Sequence, residues 1–226
     1  GALYGLAILL KPQALMFGPV LAVAFIADIF DAKERWRRRL GDTALAVFAA
    51  FAVLFVLSLP FQGGQSWDWL IHKYADTAGS YHYASIEAFN FASLLGWNWK
   101  TADTLILGIP YHLFGSIMIG VSTVFASVLY LLGRKRSHGA LYLSAALAVL
   151  LIFTFGHYMH ERYMLAALLL LLVAYLHYRD RRLLIAFGGV SMTALLNAAC
   201  AYYVVNHQAA RGALELYHRE RALSTE

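Results

Sequence analysis

The sequence predicts an all-α, polytopic integral membrane helical bundle with about six transmembrane helices, and three observations carry that expectation. Hydrophobic residues make up 61% of the 226 positions and charged residues only 14%, where an ordinary soluble domain carries roughly 25% charged. The mean hydropathy is +0.60. Stretches free of Asp, Glu, Lys and Arg cover 12–27, 43–67, 104–133, 137–160, 163–178 and 183–210. About 20 helical residues, rising about 1.5 Å each, cross a hydrocarbon core of about 30 Å, so most of these stretches can hold a span. Lipid offers the backbone no water, which leaves helices or a closed barrel, and the runs lack the alternation of barrel strands. The same composition excludes a disordered chain, and the single Cys200 excludes a disulfide scaffold.

The expected helices are 2–28, 42–60, 109–133, 139–157, 161–178 and 183–205, within a single membrane domain over 1–226. Basic residues order them. Eleven of the 18 Lys and Arg fall in three short connections, Lys33 to Arg39, Arg134 to Arg136 and Arg179 to Arg182. The positive-inside rule makes these connections cytoplasmic, with the rest of the loops extracytoplasmic. Basic residues spread this way bind membrane surfaces, and no nucleic-acid partner is implied. The outer segment 61–108 is rich in Trp67, Trp69, Trp97, Trp99, Tyr74, Tyr81 and Tyr83, rings that settle at the headgroup level. Its stretches 66–78 and 85–96 are each expected as a short interfacial helix. The outer tail 206–226 carries Arg211, Glu215, Arg219, Glu220 and Arg221 at helical spacing and reads as a solvated helix. Gly1 to Gly5 already has the character of a hydrophobic helix, so the chain is expected to be the C-terminal part of a longer one.

Candidate chemistry gathers in few places. Lys11-Pro12-Gln13 lies inside the first apolar run, where a lysine costs about 2.5–3.5 kcal/mol on insertion scales. Proline lacks an N–H and disfavours helical geometry in the residue before it, so the helix is expected to break at Lys11 and restart at Pro12, leaving free N–H groups beside an ammonium as an anion site. The alternative is a lysine that snorkels to the outer interface. His157-Tyr158-Met159-His160-Glu161-Arg162-Tyr163 packs two histidines, an acid and a base between two apolar runs. If helical, it puts His157, His160 and Glu161 on one face. Arg suits bidentate phosphate contact, His a proton carrier, and Glu the orientation of Arg or of sugar hydroxyls. The alternative is a polar interface turn with a Glu161–Arg162 pair.

The order His-x-x-His-Glu matches neither zinc-helix motif, and a third ligand would have to come from His72, His82 or His112, so no metal ligand is assigned. Haem ligation by His157 finds no good partner at matching depth. The third place, 80–91, alternates Tyr81, Tyr83, Ser85, Glu87, Asn90 and other rings. That alternation suits sugar faces and hydroxyls, or an interfacial helix without a ligand.

On these residues the chain resembles a known family. Lys11-Pro12-Gln13 in one span, Ala88-Phe89-Asn90-Phe91 followed by Leu94-Leu95-Gly96 in the outer segment, and Met159-His160-Glu161-Arg162-Tyr163 before a leucine-rich span look like bacterial membrane proteins related to the GPI-anchor mannosyltransferase that adds the second mannose. Asn197 also matches a polar position of that pattern. The resemblance covers nearly the whole chain and implies a C-type glycosyltransferase fold acting on the outer face of the bacterial plasma membrane.

It further implies a polyprenyl-phosphate sugar as donor, and a glycan, lipid or protein as acceptor. Glu161 and His160 are then the catalytic candidates, with Lys11, Gln13, Arg162, Tyr163, His157 and Asn90 binding substrate. No covalently bound cofactor is implied, and a need for a divalent metal is left open. Two departures stand out. Ala166, Ala167 and a leucine run replace prolines that often follow the motif, and the family's acidic base falls in a loop that lies upstream of Gly1. Glu161 is the only acid near the cluster in sequence, and its neighbour Arg162 favours a positioning role over that of a base. The rival class is a transporter or binding subunit for an anionic or lipid-linked sugar substrate. Polar residues clustered at the outer edge, with almost wholly apolar inner halves, favour the enzyme.

Overall fold

The computed structural model describes residues 1–79 and 82–223, with side chains described for 1–77 and 82–207. The helices are α1 (Ala2–Leu10), α2 (Gly18–Asp31), α3 (Trp36–Ser58), α4 (Trp69–Gly79), the single turn α5 (Phe91–Leu94), α6 (Tyr111–Gly133), α7 (Gly139–Phe155), α8 (Leu165–Tyr178) and α9 (Arg181–Leu223). Four two-residue strands lie between them: β1 (Ser85–Ile86), β2 (Leu105–Ile106), β3 (Ile109–Pro110) and β4 (Met159–His160). Among the described residues, four stretches are long and apolar enough to cross a membrane, Pro12–Asp31, Lys33–Phe61, Tyr111–Gly133 and Arg181–His207. The apolar helices α7 and α8, of 17 and 14 residues, are shorter. Large apolar side chains stay uncovered along the long helices, such as Phe48 at 69%, Leu132 at 70% and Ile185 at 74%. Water would penalise so much exposed apolar surface, so the pattern fits an all-α membrane protein.

The first expected helix, 2–28, is not one rod. Lys11 adopts an extended backbone (φ −149°, ψ 109°), and Pro12–Phe17 forms a 3₁₀ helix ahead of α2. The break falls where Pro12 forbids helical geometry at Lys11. The chain also reverses there. The Tyr4 hydroxyl donates to the Ala14 carbonyl at 3.1 Å, and its ring meets Phe17 at 5.7 Å. The 3₁₀ helix therefore folds back along α1 as a hairpin with Lys11 at its apex, Gly18 at the start of α2 meeting the Tyr4 hydroxyl. At nine residues, or about 14 Å, α1 is too short to cross a membrane. It lies alongside α3 in the same direction, Gly1 against Ala46 and Gly5 against Ala50. A Cβ at Gly5 would strike the Ala50 backbone, the close approach that small residues four apart allow.

The three basic connections meet at one end. Asp31 at the end of α2 pairs with Arg134 at the end of α6, and Asp28 pairs with Arg39 of α3 at 3.4 Å. Gly133, Arg136 and Tyr178 line one cavity of about 270 Å³ there, bringing in the end of α8.

The opposite end carries the loops. α4 forms within the stretch 66–78 as expected, but 85–96 begins as the strand β1 and holds only the single helical turn α5 in place of an interfacial helix. β1 is buried and pairs in parallel with β4 in the register Ser85↔Met159 and Ile86↔His160, so its backbone groups are spent on a partner 74 residues away. Beyond it, Ala84, Ala92 and Tyr111 form a small core under Phe91, Trp97 and Phe114. The main core packs Ile152, Phe153, Met159, Met164 and Ala194, with Met16 against it. The side chains expected to make the tail a solvated helix, and residues 80–81 and 224–226, lie outside the described residues.

Candidate functional site

The segment 157–163 is not helical, so the shared helical face expected for His157, His160 and Glu161 does not exist. α7 stops at Phe155, β4 runs through Met159–His160, and α8 starts at Leu165. Tyr158 sits in left-handed geometry (φ 59°) and turns the chain into β4. This turn is held by the outer loop: the Tyr158 amide donates to the Ala84 carbonyl at 3.2 Å, β4 pairs with β1, and Glu87 bridges to His160. The end of α7 has carbonyls without helical partners. The Asn90 Nδ2 donates to the Phe153 carbonyl at 3.0 Å, and the buried Tyr111 hydroxyl lies 3.4 Å from the carbonyls of both Phe155 and Gly156.

Within the turn the charged groups are in contact. Glu161 is 19% exposed and accepts from the Arg162 Nη1 at 3.1 Å, with the His160 Nδ1 at 3.9 Å. Arg162 itself is about half exposed. The Tyr163 ring lies 5.1 Å from the His160 ring and 6.0 Å from the Arg162 guanidinium carbon. Burial first, and then the Arg162 charge, push the His160 imidazole below its ordinary pKa, against a smaller opposite pull from Glu161. A neutral ring at pH 7 can still accept or donate a proton.

His157 stands apart. It packs against α6 at Gly115, where a Cβ would come within 2.8 Å of the His157 amide nitrogen and Nδ1. Burial, then the nearby His112, lowers its pKa to about 4. Its Nδ1 is buried and has no hydrogen-bond partner among the described residues. Asn90 caps α5, accepting from the Ser93 amide at 3.4 Å, so both ends of its amide are used internally. Lys11 is exposed at the hairpin apex, and the Gln13 Oε1 behind it is buried without a partner among the described residues. The apex is at the loop end, because Tyr74 of α4 donates to the Ile8 carbonyl at 3.1 Å and Met16 packs on the core beneath β4. Lys11 and Gln13 thus share an end with the turn but sit on a separate element. A groove of about 410 Å³ beside the apex is lined by Leu9, Leu10, Pro12, Trp69, Lys73 and Tyr74, among others.

Two residues at this site carry roles that the linear pattern does not reveal. Asn197 of α9 grips Phe89 from both sides of its peptide, accepting from its amide and donating to its carbonyl at 3.3 Å each. Glu87 is half-buried in left-handed geometry (φ 57°), its amide held by the Asn98 Oδ1 at 2.7 Å. Burial and then the Glu161 charge push its carboxyl above the usual range. Its one sequence signal is that it is the sole charged residue in the aromatic stretch 80–91. Among the described residues no group of three His, Cys, Asp or Glu is placed to hold a metal; His72 pairs with Asp68, and His112 with Asp103 at 3.2 Å. No protein-family model, curated protein or solved structure matches the chain.

Proposed function

We propose that the chain supplies the donor site of a glycosyltransferase that moves a sugar, on the family resemblance a mannosyl unit, from a polyprenyl phosphate to an acceptor. On this reading six helices cross a bacterial plasma membrane in a C-type glycosyltransferase-like bundle, and the loop end faces the extracytoplasmic side. The observation that carries it is the locked turn at 157–163, which presents a half-exposed Arg162 oriented by Glu161 at the end where Lys11 emerges.

The chemistry follows from those groups. Transfer breaks the bond from the anomeric carbon to the phosphate oxygen, and negative charge grows on the departing phosphate. Arg162 offers two parallel N–H donors to that phosphate, and Lys11 adds a second cation. The apolar groove beside the apex takes the isoprenoid chain, with Lys73 at its edge. His160, neutral beside Glu161, orders the inner side of the site.

The test is a binding titration of the full chain in nanodiscs with polyprenyl-phosphate mannose. A charge-assisted hydrogen bond is worth about 1.5–3 kcal/mol, so Arg162→Ala and Lys11→Ala should each weaken binding about 10- to 150-fold. No binding by the unaltered chain, or variants that both bind as tightly as the unaltered chain, refutes the proposal.

A further inference from the structure

The basic end of the bundle, opposite the turn, carries a second site. α6, α7 and α8 converge there on two glycines. A Cβ at Gly139 would come within 2.8 Å of the Tyr178 ring, so that ring rests on the start of α7, and the Tyr178 hydroxyl lies 3.7 Å from the place a Cβ would take at Gly133. The Arg136 amide donates to the Gly133 carbonyl at 2.9 Å, which wraps the chain around the same spot. The cavity of about 270 Å³ begins here, with Arg136 and Tyr178 in its lining, and continues between α6 and α7 past Leu129, Leu132, Leu143 and Leu147. Leu147 is seven residues, or about 10 Å, along α7 from Ala140. A polar mouth therefore leads into an apolar slot that runs along the helices.

The two parts of the lining select one chemistry. Among the described residues Arg134 is spent on Asp31, whereas Arg136 is exposed and forms no ion pair, and no Asp or Glu lines the cavity. A free guanidinium beside a phenol hydroxyl offers N–H and O–H donors to a phosphate oxygen. The slot beyond is walled mainly by leucines, and Leu132 is 70% exposed, so it opens onto the uncovered apolar face of α6. A volume of about 270 Å³ falls short of the roughly 300–1,000 Å³ that encloses a whole small molecule, so the slot takes one part of a longer ligand.

We propose that this site holds an anionic phospholipid of the adjoining leaflet, its phosphate on Arg136 and Tyr178 and one acyl chain in the slot between α6 and α7. Charge complementarity selects this occupant: the three basic connections meet at this end, and basic pockets between membrane helices attract anionic headgroups. The site shares no residue with the donor site and stands without it.

The experiment titrates the full chain in detergent with palmitoyl-oleoyl phosphatidylglycerol, or with phosphatidylcholine of the same chains, and follows bound lipid by native mass spectrometry. Phosphatidylglycerol should bind at least about fivefold more tightly, the difference one guanidinium makes to an anionic headgroup. Arg136→Ala should remove that preference while phosphatidylcholine binding stays within about twofold. Tyr178→Phe keeps the ring on Gly139 and removes only the hydroxyl, so phosphatidylglycerol should weaken about 2- to 12-fold. Arg38→Ala loses the same charge at the same end but outside this cavity, and should keep the preference. Millimolar glycerol phosphate should not displace the lipid, whose chain supplies the remaining contact. Equal binding of the two lipids by the unaltered chain overturns the proposal, as does a preference that survives Arg136→Ala. An Arg38→Ala loss as large as that of Arg136→Ala also overturns it, marking general surface charge. Displacement by glycerol phosphate overturns the lipid as occupant and identifies a free-anion site instead.

Discussion

Replacing Asn90 tests how the outer loop closes the end of α7. The residue is only 8% exposed, and its amide works in two directions, donating to the Phe153 carbonyl at 3.0 Å and accepting from the Ser93 amide at 3.4 Å. Phe153 lies in the last turn of α7, where a carbonyl has no helical N–H to receive. Asn90→Ala removes the cap of α5, worth about 1 kcal/mol. It also strands a buried carbonyl at about 1–3 kcal/mol, for a total of about 2–4 kcal/mol. Asn90→Asp separates the two: it keeps the acceptor for Ser93 but sets a carboxylate against the Phe153 carbonyl. Asp should therefore be no more stable than Ala at pH 7, despite retaining the cap. Thermal unfolding in nanodiscs, followed by tryptophan fluorescence, should show Tm falling by about 4–16 °C at about 2–4 °C per kcal/mol for a chain of this size. Asn90→Asp melting within 1 °C of the unaltered chain at pH 7 would refute the stabilising role of the Phe153 bond.

Three further outcomes follow from the same geometry. Gly115→Ala sets a Cβ 2.8 Å from the His157 backbone nitrogen and ring, so α6 must part from the turn. Overpacking of this kind costs about 1–3 kcal/mol, and donor affinity should fall with Tm; an unchanged Tm with unchanged affinity would show that the contact is slack. Asn197→Leu leaves both the amide and the carbonyl of Phe89 without their partner. Hydrogen exchange over 86–92 should then speed up at least tenfold while the transmembrane helices keep their protection, and uniform protection would count against the clamp. His157 stays neutral in the folded chain down to about pH 4, whereas the unfolded chain protonates near 6.5. Its contribution to stability is therefore complete above about pH 6.5 and is lost as pH falls towards 4. The Tm should drop over that window and drop less in His157→Gln; an identical slope in both would assign the acid lability elsewhere.

Much of the helical framework was legible because its causes are local. Runs of apolar residues, Pro12 next to Lys11, and arginines at the helix ends act within one or two turns of themselves. The same local logic misread 85–96 as an interfacial helix. Its aromatic and small residues suit a helix on a membrane surface, but Ser85 and Ile86 find better use for their backbone groups against Met159 and His160. It also took His157, His160 and Glu161 as neighbours on a helix, although α7 ends before them and the segment passes through the short strand β4 into a turn. Glu87 was legible only as the sole charged residue of the aromatic stretch 80–91, because its bridge to His160 spans 73 residues of sequence.

By itself the sequence determined what hydrophobicity and proline stereochemistry dictate: apolar helices, a break at Lys11, and basic residues gathered between them. The tertiary structure alone decided that the chain reverses at Lys11 to pack Gly5 against Ala50, that β1 pairs with β4, and that Asn197 grips Phe89. Those choices depend on which distant partner satisfies a buried backbone group or accommodates a close approach. Composition and periodicity act over a few residues, whereas such pairings are settled only when the whole chain has folded.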